Sequence, residues 1–139
     1  MVDEKRVRRA RLGDADKIVA LLVESKMTER SDLRKRVLSY LERSADTCFV
    51  SEAEGGSLDG VALGFFNGFH IFLSHLAVPE SRQRHGIGTA LHEALVTRAK
   101  AIGAIGIIVD SWLTSTAFYH NLGYRIPGSI YLIKDIGES

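Results

Sequence analysis

The sequence predicts an α/β (α+β) fold in which one mixed β-sheet is flanked by helices, in the order β-α-α-β-β-β-α-β-α-β. Three observations carry this. Apolar residues recur at helical spacing before and after the centre of the chain. Three strand-like runs, "TCFVSEAEGG", "SLDGVALGFFN" and "FHIFLSHLAV", follow one another across short turns and read as an antiparallel meander. Beyond them, helical and strand patterns alternate to the C-terminus.

The elements follow in order. Residues 2–12 form a first strand carrying Arg6, Arg8, Arg9 and Arg11, read as a solvated, aggregation-resistant edge. Asp14 is the expected N-cap of a helix to about Glu24, with Ile18, Val19, Leu21 and Leu22 as its buried stripe. A second helix spans Asp32 to Arg43, with Leu33, Val37, Tyr40 and Leu41 at helical spacing. After the meander comes the loop "PESRQRH" and a helix from about Gly88 to Ala101, stopped by Gly103. "AIGIIVD" reads as a buried strand, "STAFYHNLGY" as a short helix and "SIYLIKDI" as a last strand.

The 139 residues suit a single domain spanning 1–139. Net charge is +1, so bulk electrostatics points to neither nucleic acid nor an anionic membrane. Cys48 is the single cysteine, which fits a reducing compartment and reads as a small buried apolar residue. The opening "MVDEKRVRRARLG" lacks the apolar region of a secretory signal, and a cytoplasmic protein is expected. The histidines at 70, 75, 85, 92 and 120 form neither a helical i, i+4 pair nor a Cys-His cluster, so no metal is expected. His92 and His120 read as helix-surface residues.

The stretch with chemical content is "RQRHGIGTAL". Gly86 and Gly88 open a helix, and Gln83, Arg84 and His85 precede them. Glycine lets a ligand approach bare backbone, and a helix start offers unpaired N–H groups with partial positive charge. Together these suit a phosphate. The dinucleotide fingerprint fails because Leu91 stands where its third glycine belongs, and the P-loop fails because no Gly-Lys-Ser/Thr follows.

"LAVPESRQRHGIGTAL" resembles the acetyl-CoA motif of the GNAT superfamily of N-acetyltransferases, Q/R-x-x-G-x-G/A, through Gln83, Gly86 and Gly88. "AFYHNLGY" is similar to a second family segment through Phe118, Tyr119, Gly123 and Tyr124, and "VRRARLGDADKIVALL" to the family's first strand and helix. The resemblance covers nearly the whole chain. It implies a splayed sheet holding acetyl-CoA. Backbone groups of Leu76, Ala77 and Val78 would pair with the pantetheine. The run Gln83, Arg84, His85, Gly86, Ile87, Gly88, Thr89 and Ala90 would hold the pyrophosphate of coenzyme A. An amine would attack the thioester directly, and Tyr119 matches the residue usually given the protonation of the leaving thiolate.

Two departures stand out. Many family members carry a Glu where this chain has Ser74, and Ser74 is no base without help, although it can orient a water. His70, His75 and Asp110 remain alternatives for the base, and strict strand alternation puts His75 on the face opposite Ser74. Trp112 stands where the family often has an Asn. The expected activity is therefore N-acetylation of a primary amine, in a small molecule or a protein; the sequence leaves the oligomeric state open, a homodimer among the options. A non-catalytic acyl-CoA-binding module is the alternative. Lys26, Arg30, Arg34, Lys35 and Arg36 would suit an anionic acceptor, but a solvated helix face is the simpler reading.

Overall fold

The computed structural model describes residues 6–27, 30–110 and 115–137. The chain divides into two compact units between Ile108 and Val109.

The first unit is built on a five-stranded mixed sheet whose strands lie side by side in chain order. β1 (Val7–Arg9) is a short edge strand. Its arginines are less solvated than the sequence suggests. Arg8 is half-buried and donates to both oxygens of Asp14, at 2.8 and 2.9 Å, and to Glu52. Arg6 pairs with the buried Asp59. Asp14 makes no side-chain cap bond to α1 (Ala15–Glu24). Its carboxylate is taken instead by Arg8 and by the backbone N–H of Arg11, at 2.8 Å. The Arg8 hydrogen bonds hold the Asp14 carboxyl below its ordinary range.

α1 buries Ile18, Leu21 and Leu22, and α2 (Leu33–Ser44) buries Leu33, Val37 and Leu41, as the periodicity predicts. The basic residues around α2 are largely paired. Arg30 and Arg36 both meet Asp32, at 2.9 and 2.8 Å, and Arg34 meets Asp16 at 2.7 Å.

β2 (Cys48–Glu52), β3 (Leu58–Phe66) and β4 (His70–Ala77) form the expected antiparallel meander. Cys48, Val50, Val61 and Leu63 present one face of it to α1 and α2, and together they make the main core. The opposite face receives α3 (Ile87–Ile102). A Cβ on Gly60 would lie 2.7 Å from Ile87 and 2.8 Å from Leu91, so the bare backbone here sets how closely α3 approaches the sheet. α3 buries His92 beside Leu91 and Leu95, which corrects its placement on the helix surface. The helix ends at Gly103, with φ +77°, as expected.

β5 (Gly106–Val109) lies beside β4 at the sheet edge. An edge strand has a neighbour on one side only, so this expected buried strand is only half-buried, and Ile108 is 44% exposed.

The second unit contains α4 (Thr116–Asn121), closed by Gly123 at φ +94°. The last expected strand, "SIYLIKDI", is not formed, and residues 124–136 make no strand. Its composition favours a strand, but a ladder needs a partner for its backbone groups. Ile130, Leu132, Ile133 and Ile136 are 74–93% exposed.

Candidate active site

The loop after β4 is built by its own side chains. A 3-10 turn, Glu80–Arg82, follows Pro79. The Gln83 side-chain amide donates to the Val78 carbonyl at 2.9 Å, closing the loop on the end of the strand. His85 Nδ1 lies 3.1 and 3.0 Å from the carbonyls of Arg82 and Gln83. Carbonyls only accept, so this nitrogen carries the proton. Arg84 and Gly86 take φ of +69° and +79°.

Gly86 is the N-cap of α3, and the Ala90 N–H bonds its carbonyl at 2.9 Å. The amides of Ile87, Gly88 and Thr89 therefore precede the first intrahelical donor, the Ala90 N–H, and form the positive end of a sixteen-residue helix. The two glycines differ in role. Gly86 needs the left-handed conformation, whereas Gly88 lies inside the helix. Gln83, Arg84, His85, Gly86 and Thr89 are exposed, Gly88 and Ala90 half-buried, and Ile87 is anchored in the core. Leu76 and Val78 are half-buried and Ala77 is buried. A groove of about 1000 Å³ starts at Arg84, His85 and Gly86 and runs along α3 past Glu93 and Arg98, with Arg9 and Phe49 on its sheet side.

A second polar cluster lies on the α1/α2 face. The β3–β4 register pairs Leu63 with His75 and Gly64 with Leu73, so Ser74 is an extra residue in β4. Such a bulge breaks strand alternation. His75 pairs with Leu63, which belongs to the α1/α2 core, and its ring turns to the same side as Ser74. This corrects the expectation that the two face apart. Ser74 Oγ lies 2.8 Å from His75 Nδ1, 2.8 Å from the Tyr40 hydroxyl and 3.2 Å from the Leu63 carbonyl. Tyr40 meets Phe65 and His75 edge-on, and Phe65 stacks on Phe72.

Tyr40 was legible only as part of an apolar helical stripe. Its hydroxyl was the one signal that could have singled it out. His70, four residues from Ser74, stands roughly 13 Å away along the strand and does not join the cluster. Asp110 is exposed. Trp112 lies outside the described residues. In the second unit, the Tyr119 ring packs edge-on against Phe118 and Tyr124, with centroids 5.1 and 5.5 Å apart, and burial raises its phenol above the ordinary value. Among the described residues no group of three or more His, Cys, Asp or Glu side chains is placed to hold a metal, and no helix is long and apolar enough to cross a membrane.

Burial pushes the imidazoles of His75 and His92 below their ordinary value of 6.5. As pH falls through 6.5, the unfolded chain takes up these protons before the folded one does. Their contribution is therefore intact above pH 6.5 and is lost as pH falls toward the folded values. The melting temperature is expected to fall from pH 7.5 to 5.5, less steeply in His75→Gln. A pH series by calorimetry checks this, and equal slopes would refute the His75 part.

The acetyltransferase (GNAT) family matches this chain over residues 15–124. No curated protein matches it. Among solved structures, the chain is similar to glucosamine-6-phosphate N-acetyltransferase from Arabidopsis thaliana, with a TM-score of 0.75 and 18% identity over 94% of this chain and 97% of that one. It is similar to ribosomal-protein-alanine N-acetyltransferase from Brucella melitensis biovar Abortus 2308, with a TM-score of 0.76 and 16% identity over 93% and 98%. A Trypanosoma brucei acetyltransferase gives 0.72 and 20% over 92% and 97%. At these identities the likeness is one of fold.

Proposed function

This chain belongs to the acetyltransferase (GNAT) family, and we propose that it transfers the acetyl group of acetyl-CoA to a primary amine by direct attack. The observation that carries the proposal is the start of α3, where three helix-entry amides follow a left-handed Gly86 in a loop that Gln83 ties to β4. This donor set fits the pyrophosphate of coenzyme A. The amides of Ile87, Gly88 and Thr89 donate, the helix end supplies partial positive charge, and Arg84 adds a full one.

Bound acetyl-CoA supplies an activated thioester; the chain binds, orients and moves protons. The backbone of Leu76, Ala77 and Val78 is assigned to the pantetheine arm, on their place just before the loop. An amide near Val78 is assigned to the oxygen that gains charge as the amine attacks. The nucleophilic amine must be neutral and must lose a proton on bond formation, so a base is required. Tyr119 is assigned the return of a proton to the departing sulfur, on its place in the family's second motif. Its raised phenol keeps that proton at neutral pH.

The acceptor is a primary amine of a small molecule or a protein. The test is release of free thiol from acetyl-CoA in the presence of amino acids, polyamines, amino sugars and peptides with free N-termini. Thiol release with at least one amine supports transfer. CoA binding without release would leave a binding module. CoA at about 100 times its dissociation constant is expected to stabilise the protein by roughly 2.7 kcal/mol, a shift of several degrees. No shift in a thermal melt with millimolar CoA, run beside NAD, would refute the cofactor.

A further inference from the structure

We propose that Tyr40, Ser74 and His75 form the proton-accepting relay of this acetyl transfer, with Ser74 touching the amine and His75 acting through it. The inference rests on the transferase reading above and deepens it by naming the base.

The geometry is a chain of three polar groups in apolar surroundings. Ser74 Oγ lies 2.8 Å from Tyr40 Oη on one side and 2.8 Å from His75 Nδ1 on the other. The walls are Phe65, Phe72 and the α1/α2 core. The β-bulge at Ser74 is what makes the chain, because regular alternation would send His75 to the α3 side. Ser74 lies two residues before Leu76, at the head of the segment assigned to the pantetheine arm. Ser74 and His75 are both half-buried, which leaves them partly open to solvent.

The hydrogens can be assigned. The Tyr40 phenol stays protonated because burial raises it, and Ser74 Oγ is its partner, so Tyr40 donates. The single Ser74 hydrogen has two acceptors in reach, the Leu63 carbonyl at 3.2 Å and His75 Nδ1 at 2.8 Å; the relay assigns it to the shorter contact, with His75 accepting in the Nε2–H tautomer. As the amine nitrogen bonds the acetyl carbon, its proton passes to Ser74 Oγ while the Ser74 proton passes to His75 Nδ1. The carbon–sulfur bond breaks, the thiolate takes a proton from the acid, the imidazolium returns its proton to water, and water gives one back to the acid, so the proton count closes. Serine ends unchanged.

Among the described residues, few ionisable groups on the elements packed against this face turn toward it. α2 presents Tyr40, and β2 presents Cys48, whose thiol burial pushes up to about 12. α1 presents Ile18, Leu21 and Leu22, and the partner of His75 on β3 is Leu63. Burial keeps the imidazole neutral at pH 7 and ready to accept a proton.

The test combines kinetics and spectroscopy on the full chain. With the first amine that releases thiol from acetyl-CoA, the parent kcat should show an acidic limb below pH 6.5. His75→Gln should lower kcat about 10²-fold or more, and that limb should disappear while CoA affinity is unchanged. Ser74→Ala should match it, Ser74→Thr should recover part of the loss, and Tyr40→Phe should cost about 3- to 10-fold. A kcat for His75→Gln within threefold of the parent, with the limb retained, would overturn the relay alone. CoA binding with no thiol release from any amine would overturn the transferase reading and the relay with it. Independently of activity, ¹⁵N NMR of the free protein should show His75 neutral, with Nδ1 unprotonated at pH 7.5, and Ser74→Ala should shift its titration. A proton on Nδ1 would overturn the relay.

Discussion

Gly88→Val is expected to fold and to lose CoA affinity by about 100-fold or more. Gly88 sits in the first turn of α3 in helical conformation, so valine meets no backbone strain there. What changes is the distance of approach. A branched side chain stands where the ligand's phosphates must reach the amides of Ile87, Gly88 and Thr89. Two charge-assisted hydrogen bonds of about 1.5–3 kcal/mol each would be lost, and about 1.4 kcal/mol is tenfold. Gly86→Val makes the useful contrast. At φ +79° a β-branched residue is strained, so this variant should lose stability as well as affinity. Calorimetric titration with CoA, paired with thermal melts, separates the two. An affinity for Gly88→Val within threefold of the parent would place the pyrophosphate elsewhere.

Tyr119→Phe is expected to lower kcat by about 10²- to 10⁴-fold with little change in the dissociation constant of acetyl-CoA. Phenylalanine keeps the ring and its edge-on packing against Phe118 and Tyr124, so α4 should be undisturbed. Only the hydroxyl proton is removed. A fall in kcat without a change in binding marks an interaction made in the transition state. Steady-state kinetics on an accepted amine, beside direct titration of CoA, gives both quantities. A kcat within threefold of the parent would remove Tyr119 from the mechanism.

Much of the fold was legible because it depends on period. The apolar stripes of α1 and α2, the three meander strands and the glycine at the end of α3 are local patterns with local physical causes. The glycine-led entry to α3 was legible for the same reason, since a loop and the helix start that follows it are made of consecutive residues. Even there, the sequence treated Gly86 and Gly88 alike. Only the backbone angles show that Gly86 takes the left-handed turn while Gly88 is helical.

The errors fall where a residue's state depends on a distant partner. Asp14 does stand at the N-cap of α1, but Arg8 reaches it across the β1–α1 turn and takes its carboxylate, so the side-chain cap bond is not made. His92 looks like a polar surface residue, yet its side of α3 is the side that meets the sheet. Residues 129–136 have the composition of a strand, and a strand exists only where a second one completes its ladder.

By itself, then, the sequence determined the α/β class, the order of the main elements, the family resemblance and the glycine-led start of α3, because each is written in short-range spacing. The tertiary structure decided how β4 pairs with β3. A single extra residue at Ser74 shifts that register, turns His75 to the α1/α2 face and brings it to Ser74, with Tyr40 arriving from a helix 34 residues earlier in the chain. Alternation along one strand is a local rule. A bulge is set by the fit of two strands against each other, and that fit is absent from either strand read alone.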